Sequence, residues 1–167
     1  MLNRIGLETK PWWNYLEPDL KKFLAESAVL LDKSKKWSYQ FHDYSFIVFP
    51  AAKAYEGFLK KLFLDMKFIS QEDYLGKRFR IGKSLNPNLD RSHQDESWVY
   101  DDLEKFCNGK DLPDLLWDTW KKSRNLAFHW FPGEANNLTL PEAEMRLNMI
   151  IESIDEVYST CSVKLNK

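Results

Sequence analysis

Residues 139–158 read TLPEAEMRLNMIIESIDEVY, and they hold the clearest amphipathic pattern in the chain. Its apolar residues recur every three or four positions, the spacing that places them on one face of an α-helix. They are Ala143, Leu147, Ile150, Ile151, Ile154, Val157 and Tyr158. Thr139 and Glu142 form a capping-box pattern, so the helix is predicted to begin there. Because a helix with one apolar face must bury that face, the stretch predicts a packed helical domain.

Two more helices are predicted in the first half of the chain. Proline fits the first turn of a helix, so the first helix is predicted to begin near Pro18. The second is longer, because Asp43 is a good capping residue and helical apolar spacing continues from there to about Phe68. Pro50 predicts a kink or a late start in this helix, since proline lacks a backbone N–H.

Two shorter helices are predicted between these and the C-terminal stretch. Ser97 is predicted to cap the third helix, and Asn108 to end it, because asparagine tolerates the left-handed conformation. The fourth helix is predicted to open at Pro113 and must end by Phe131, since Pro132 and a glycine follow. Alternating β-branched runs are few, so we predict an all-α protein, an up-and-down helical bundle of about five helices.

Length and charge bound the class of protein. A chain of 167 residues with 44% hydrophobic residues is in the range of one domain. Residues 1–42 are predicted to form an N-terminal segment whose helix packs on the bundle, and residues 43–167 the main helical domain, as one compact unit overall. The formal net charge of −1 argues against a polybasic binder, so any contact with nucleic acid must be local.

Cysteine and histidine patterns point away from cofactor chemistry. Cys107 and Cys161 lack CxxC spacing and are expected to be core residues in a reducing compartment. The three histidines make no ligand pattern, so we expect no metal and no cofactor. Residues 1–13 carry charges and no apolar run, which favours a cytoplasmic protein with no membrane partner.

One connection, residues 77–96, is long and basic. Loops of this length are uncommon unless they are functional or disordered. The segment is therefore either a solvated mobile loop or an RNA-backbone contact. In the second case Arg78, Arg80 and Lys83 would neutralise phosphates and Phe79 would stack on bases.

Residues 123–131, SRNLAFHWF, place an arginine, an asparagine and a histidine at the end of the fourth helix. Asn125 and His129 are four apart and are predicted to share a face, with Arg124 on its flank. The negative end of the helix dipole favours a protonated His129, which can act as an acid or a base. Arg124 and Asn125 offer donors to phosphate oxygens. These groups suit RNA cleavage by the 2′-hydroxyl, which needs neither a metal nor a separate nucleophile.

Arg124 to His129 resembles the Arg-x4-6-His motif of the HEPN superfamily of ribonucleases. Its place also resembles HEPN domains, because the motif lies near the end of the penultimate long helix of an all-α chain. Residues 49–61, FPAAKAYEGFLKK, resemble the long helix of RNase LS-type (RnlA/LsoA) toxins, in which a glutamate before a glycine contributes to the site. Glu56 is the matching position here.

The resemblance implies a metal-independent endoribonuclease that acts as a homodimer. Two copies of Arg124 and His129 would then meet at one RNA-binding cleft, with Lys53 and Lys60 flanking the RNA backbone. The family implies a toxin or phage-defence setting, with an antitoxin or another regulatory protein as a further partner.

The resemblance also implies a role for each site residue. His129 would transfer protons, and Arg124 would stabilise the charge on the phosphorane. Asn125 would position the substrate, and Glu56 would act as a support or as a second proton carrier. All four are candidate catalytic residues.

The alternative is a non-catalytic helical module that binds protein or RNA. In that case exposed Trp12, Trp13 and Trp37 form a protein-binding patch. His129 is then a partly buried histidine with its hydrogen bonds satisfied, and Glu56 belongs to a solvated stripe of ion pairs with neighbouring lysines. Geometry distinguishes the two, since a nuclease needs the arginine and histidine to line a solvent-reachable groove at a two-fold interface, with the glutamate nearby.

Overall fold

The computed structural model describes residues 4–130, 132–133 and 136–165, and the side chains of residues 6–130, 132–133 and 136–160. These residues form eight α-helices and no β-strand, which confirms the predicted all-α class. The helices are α1 Arg4–Glu8, α2 Pro18–Ser34, α3 Ser45–Asp65, α4 Gln71–Leu75, α5 Ile81–Ser84, α6 Tyr100–Cys107, α7 Asp111–Trp120 and α8 Leu140–Leu165. Five of them, α2, α3, α6, α7 and α8, have eight or more residues, in agreement with the five predicted helices.

Helix α3 lies at the centre of the bundle. It packs along α2 and α8, and it also contacts α4, α5 and α7. Ten of its side chains are buried, so almost half of its 21 residues belong to the core. A helix with so many packed neighbours is a rigid support for any side chain on its remaining exposed face.

Helix α8 begins with the predicted capping box. The backbone N–H of Thr139 donates to the Glu142 carboxylate at 2.8 Å, and the Glu142 N–H donates back to the Thr139 hydroxyl at 3.4 Å. The predicted apolar stripe faces the core, with six of its seven residues buried and Tyr158 packed against them. The sequence interpretation of this helix is confirmed.

Helix α3 begins just after Asp43, as predicted, although Tyr44 and not Asp43 occupies the N-cap position. The Asp43 carboxylate accepts a hydrogen bond from the backbone N–H of Ser45 at 3.0 Å. Pro50 lies inside the helix, and the next N–H, that of Ala51, donates to the buried Ser27 hydroxyl of α2 at 2.9 Å. The early turns therefore rely on a neighbouring helix for a hydrogen bond. The helix ends at Asp65, three residues before the predicted Phe68.

Helix α6 corrects one predicted cap and confirms one predicted end. Ser97 does not cap it, because the Ser97 hydroxyl and N–H both donate to Asp95 in a local turn. The helix begins at Tyr100 instead. Asn108 ends it in the left-handed conformation, with φ of 56°, as predicted. Helix α7 begins two residues before Pro113, at Asp111.

The long connection, residues 77–96, is folded onto the core. It contains α5 and a 3₁₀ turn, Arg91–His93. Phe79, Ile81 and Leu85 are buried, so the mobile-loop alternative is wrong for this segment and Phe79 is not available to stack on bases. Large apolar side chains supply the burial, which loop length and basic charge do not reveal.

The N-terminal residues pack on the bundle as well. Trp12 is only 1% exposed, and its indole N–H donates to Asp155 of α8 at 2.6 Å. Trp12 therefore cannot belong to an exposed patch, and that part of the alternative is wrong. Cys107 is half-buried against the core. The side chain of Cys161, and Phe131 with the predicted helix limit there, lie outside the described residues.

Within the described ranges, no helix is at once long enough and apolar enough to cross a lipid bilayer. This agrees with the sequence, in which the longest helical stretches are amphipathic.

Candidate functional site

The chain after α7 departs from regular helix at the motif. Lys121–Asn125 form a π-helical turn, in which the N–H of Leu126 donates to the carbonyl of Lys121. A 3₁₀ turn, Leu126–Phe128, follows, and His129 is extended, with φ of −103° and ψ of 132°. The prediction of one regular helix through His129 is therefore wrong. Turns of π-helix inside α-helical segments are frequent at functional sites.

This change of pitch decides which motif residues lie together. A cavity of about 400 Å³ opens between α3 and the irregular turns. It is lined by Phe49, Ala52, Lys53, Glu56, Arg124, Phe128 and His129. Three of the four predicted catalytic residues thus share one cavity. Asn125 is not among the lining residues. The π-helical and 3₁₀ turns break the regular helical geometry that would have aligned it with His129, four residues later. Its role in positioning the substrate stays a prediction.

Arg124 is held from two sides. Its Nε lies 3.6 Å from Oε2 of Glu56, and its guanidinium carbon lies 5.6 Å from the centre of the Trp120 ring. Both partners of the ion pair are partly exposed, so the pair sets the position of Arg124 more than it adds stability. Glu56 thus pairs with a residue of another element, whereas the alternative expected it to pair only with lysines of its own helix.

His129 is solvent-exposed. Its backbone carbonyl accepts a hydrogen bond from the side-chain amide of Asn136 at 3.1 Å, which ties the extended segment to the start of the final connection. His129 is therefore not the partly buried histidine of the alternative. His129 lines the cavity and is exposed to solvent, so a substrate can reach it.

The remaining wall of the cavity is aromatic and carries one cation. Phe49 and Phe128 meet edge to face, with ring centres 5.2 Å apart. The Lys53 ammonium lies 4.5 Å from the centre of the Phe23 ring and 5.8 Å from that of Phe49. Aromatic rings attract cations electrostatically, so they hold the exposed Lys53 at the cavity mouth.

The other predicted RNA-binding residues lie further along α3 and beyond it. Lys60 is seven residues after Lys53, about 10 Å along the helix, and its ammonium lies 5.9 Å from the ring of buried Phe79. A second, shallow groove beside that ring includes Arg78, Arg80 and Lys83 together with acidic residues. The predicted RNA-binding residues therefore occupy two places and not one.

Two of the basic residues in this groove already interact with neighbouring residues. The Lys83 ammonium forms an ion pair with Asp95. Arg80 donates to the backbone carbonyls of Lys77 and Phe79. Arg78 is exposed. The groove is thus less basic than the sequence suggests, and Arg78 is the residue best placed to contact a phosphate.

Sequence reasoning missed the residues behind Arg124. Trp120 stacks on Trp117, with ring centres 5.7 Å apart, and it packs against Gly82 of α5. A Cβ atom at Gly82 would clash with Cη2 of Trp120. A glycine that admits an aromatic ring from a distant helix leaves no periodic signal in one sequence, so only the structure reveals it.

Comparisons of the chain with protein-family models, with curated proteins and with solved structures return no match. The cavity itself is therefore the basis for assigning a function. It combines an exposed imidazole, a positioned guanidinium and a carboxylate partner beside an aromatic wall. Such a set can bind a phosphodiester and move a proton at it.

Proposed function

We propose that this chain is a metal-independent endoribonuclease of HEPN type. One observation carries the proposal: Arg124, Glu56 and His129 line a single solvent-open cavity although they come from separate elements. This arrangement supports the nuclease over the non-catalytic module, because a module without catalysis does not need these three groups in one cavity. The burial of Trp12 also weakens the rival three-tryptophan patch.

The reaction that suits these groups is transesterification within the RNA. The 2′-oxygen attacks the adjacent phosphorus, the bond from phosphorus to the 5′-oxygen breaks, and the products carry a 2′,3′-cyclic phosphate and a 5′-hydroxyl. The proton that leaves the 2′-hydroxyl is balanced by the one that the 5′-oxygen gains. His129 transfers a proton, and Arg124 stabilises the charge on the phosphorane.

The contacts of Glu56 favour one of its two predicted roles. Its carboxylate faces Arg124 at 3.6 Å, which supports a positioning role. As a proton carrier it would have to release that guanidinium during turnover. Lys53 at the cavity mouth contributes local positive charge for the RNA backbone.

The cavity is open, and a homodimer would enclose it. Exposed apolar side chains lie beside the motif, with Trp130 79% exposed and Leu126 and Phe49 also exposed. Pairing about a two-fold axis would cover such side chains and bring a second Arg124 and His129 to the same RNA. An antitoxin or regulatory protein, in a toxin or phage-defence setting, is the corresponding biological proposal.

The test is RNA cleavage in EDTA by the purified chain, compared with its His129→Ala variant. We expect the variant to be slower by about two to four orders of magnitude, with its unfolding temperature retained. His93→Ala removes an exposed histidine from a 3₁₀ turn outside the cavity and is the matched control.

Mass spectrometry of the preparation establishes that no second protein is present to inhibit the enzyme. Absence of cleavage by such a preparation would overturn the nuclease proposal. RNA binding without cleavage would favour the non-catalytic RNA-binding alternative. Equal cleavage by the native chain and by His129→Ala would remove His129 from the site.

A further inference from the structure

The connection between α2 and α3 presents a cluster of aromatic rings to solvent. Trp37 is 42% exposed, Tyr39 68% and Phe41 37%, and we name these three residues the aromatic platform. The rings of Tyr39 and Phe41 meet at 4.9 Å, and those of Trp37 and Phe41 at 5.6 Å. Exposed rings in mutual contact are unusual on a surface that has no binding role.

The platform is anchored to the bundle. Phe46, in the first turn of α3, lies 5.2 Å from Phe41 and 6.5 Å from Trp37, measured between ring centres. The backbone N–H of Phe41 donates to the Tyr44 hydroxyl at 3.2 Å, and Tyr44 is buried. The rings are thus held in place before any ligand binds, which reduces the entropy cost of binding.

One face of α3 links the anchor of the platform to the proposed cleavage cavity. Phe46, Phe49, Lys53 and Glu56 follow one another at spacings of three and four residues, so they lie along one face of α3. Phe46 supports the platform, and Phe49 is a wall of the cavity. Three residues of helix separate them, a rise of about 5 Å. A nucleotide on the platform would therefore lie close to one in the cavity.

Chemistry favours a nucleobase as the occupant. Aromatic side chains bind unpaired bases by stacking, which tolerates any base because each has a π-face. Two exposed lysines lie near the platform in the chain or along α3. Lys33 is four residues before Trp37, and Lys53 is seven residues after Phe46 and lines the cavity. These charges complement a phosphate backbone that passes the rings.

We propose that Trp37, Tyr39 and Phe41 form a base-stacking subsite for an unpaired nucleotide beside the scissile phosphate. This inference rests on the proposed nuclease function, since it gives the cavity a neighbouring subsite. It adds a binding site outside the residues of the motif. It also accounts for the exposure of three rings that contribute little to the core.

The test measures binding, so that it does not depend on cleavage. The His129→Ala protein is titrated with a fluorescent single-stranded RNA, and then with the same RNA in which the bases are replaced by abasic sites. Trp37→Ala and Tyr39→Leu, each added to that background, are expected to weaken binding of the normal RNA by roughly 5- to 150-fold per stacked base. Tyr39→Phe keeps the ring and is expected to retain binding.

Two comparisons isolate stacking from other effects. The platform variants should bind the abasic RNA as the parent does, because no base remains to stack. Leu75→Ala removes an exposed apolar side chain from α4 and is the control for general surface changes. Thermal unfolding of each variant establishes that it is folded.

The outcomes separate this inference from the function on which it rests. Cleavage by the native chain, with platform variants that bind as tightly as the parent, would overturn the subsite and leave the nuclease intact. A loss of self-association in Trp37→Ala, without a change in RNA binding per protomer, would identify the platform as a protein interface instead. Failure of the parent to bind any RNA would overturn the subsite directly.

Discussion

Oε2 of Glu56 lies 3.6 Å from Nε of Arg124, and this ion pair joins the centre of α3 to the π-helical turn. The pair gives Glu56 a specific place in the proposed site. An arginine on an irregular turn has many rotamers, and the carboxylate selects one that faces the cavity. The ion pair therefore acts mainly by fixing the position of Arg124.

Glu56→Gln is expected to slow RNA cleavage by up to about 10²-fold, because a small misplacement of Arg124 weakens transition-state contacts. Stability should change little, since the pair is partly exposed. The pH dependence of the rate should keep its shape. Loss of one limb of that profile would instead show that Glu56 carries a proton. Glu152→Gln, on the exposed side of α8, is the control.

Arg124→Ala and Glu56→Gln are expected to be non-additive, because each removes the same interaction. Once Arg124 is alanine, a further change at Glu56 should have a much smaller effect on the rate. Single-turnover cleavage by the two single variants and the double variant measures this. Full additivity would mean that the two residues act independently.

Local sequence patterns were enough to predict the main helices and part of the site. Apolar spacing places the core face of α8, and Thr139 with Glu142 places its start, because both signals lie within a few residues. Two further patterns identified three of the residues that line the cavity. One is the five-position separation of Arg124 and His129, and the other is the glutamate within residues 49–61. These inferences needed only contacts along one helix or a motif.

Long-range packing decided the features that sequence patterns did not predict. The buried Ser123 donates to the backbone carbonyl of Arg146 in α8 at 3.4 Å, at the place where α7 gives way to the π-helical turn. Trp12 is buried through Asp155, a partner 143 positions away. Neither spacing nor composition indicates Arg146 or Asp155 as a partner. Because the π-helical turn was not predicted either, Asn125 was placed on a regular helical face that does not form.

Gly82→Ala is expected to lower the free energy of unfolding by about 1–3 kcal/mol, because the added methyl group meets the ring of Trp120. Displacement of that ring also removes the surface under Arg124, so cleavage should fall as well. Gly109→Ala is the matched control, since a Cβ there meets no atom within 4 Å. Denaturant unfolding measures both variants. An unchanged stability for Gly82→Ala would contradict a tight contact.

The stability of the chain should depend on Asp43 at acid pH. Partial burial raises the pKa of the Asp43 carboxyl, but hydrogen bonds from Ser45 and Leu138 outweigh it, so the pKa lies below its usual value. A lowered pKa means that the carboxylate stabilises the fold above about pH 4 and loses this effect as the pH falls through the folded-state value.

Asp43→Asn is therefore expected to reduce the unfolding temperature at pH 7, with a free-energy loss of about 1 kcal/mol, because a neutral amide accepts the hydrogen bonds from Ser45 and Leu138 less strongly than a carboxylate does. The difference from the native chain should shrink below about pH 4. Thermal unfolding between pH 2 and pH 8 checks this. Asp90→Asn alters a carboxylate bonded to Ser92 within its own turn and should have a smaller effect. A difference that stays constant with pH would contradict the assignment.

Arg78→Ala is expected to weaken RNA binding in a salt-dependent way. Because each phosphate contact releases a counterion, the slope of log affinity against log salt should fall by about one unit or less. Lys83→Ala should have a smaller effect, since the Lys83 ammonium is already paired with Asp95 and must break that pair to reach a phosphate. Binding of labelled RNA to His129→Ala protein across a salt series distinguishes the two. Equal slopes for Arg78→Ala and the parent would show that the RNA does not extend from the cavity to this groove.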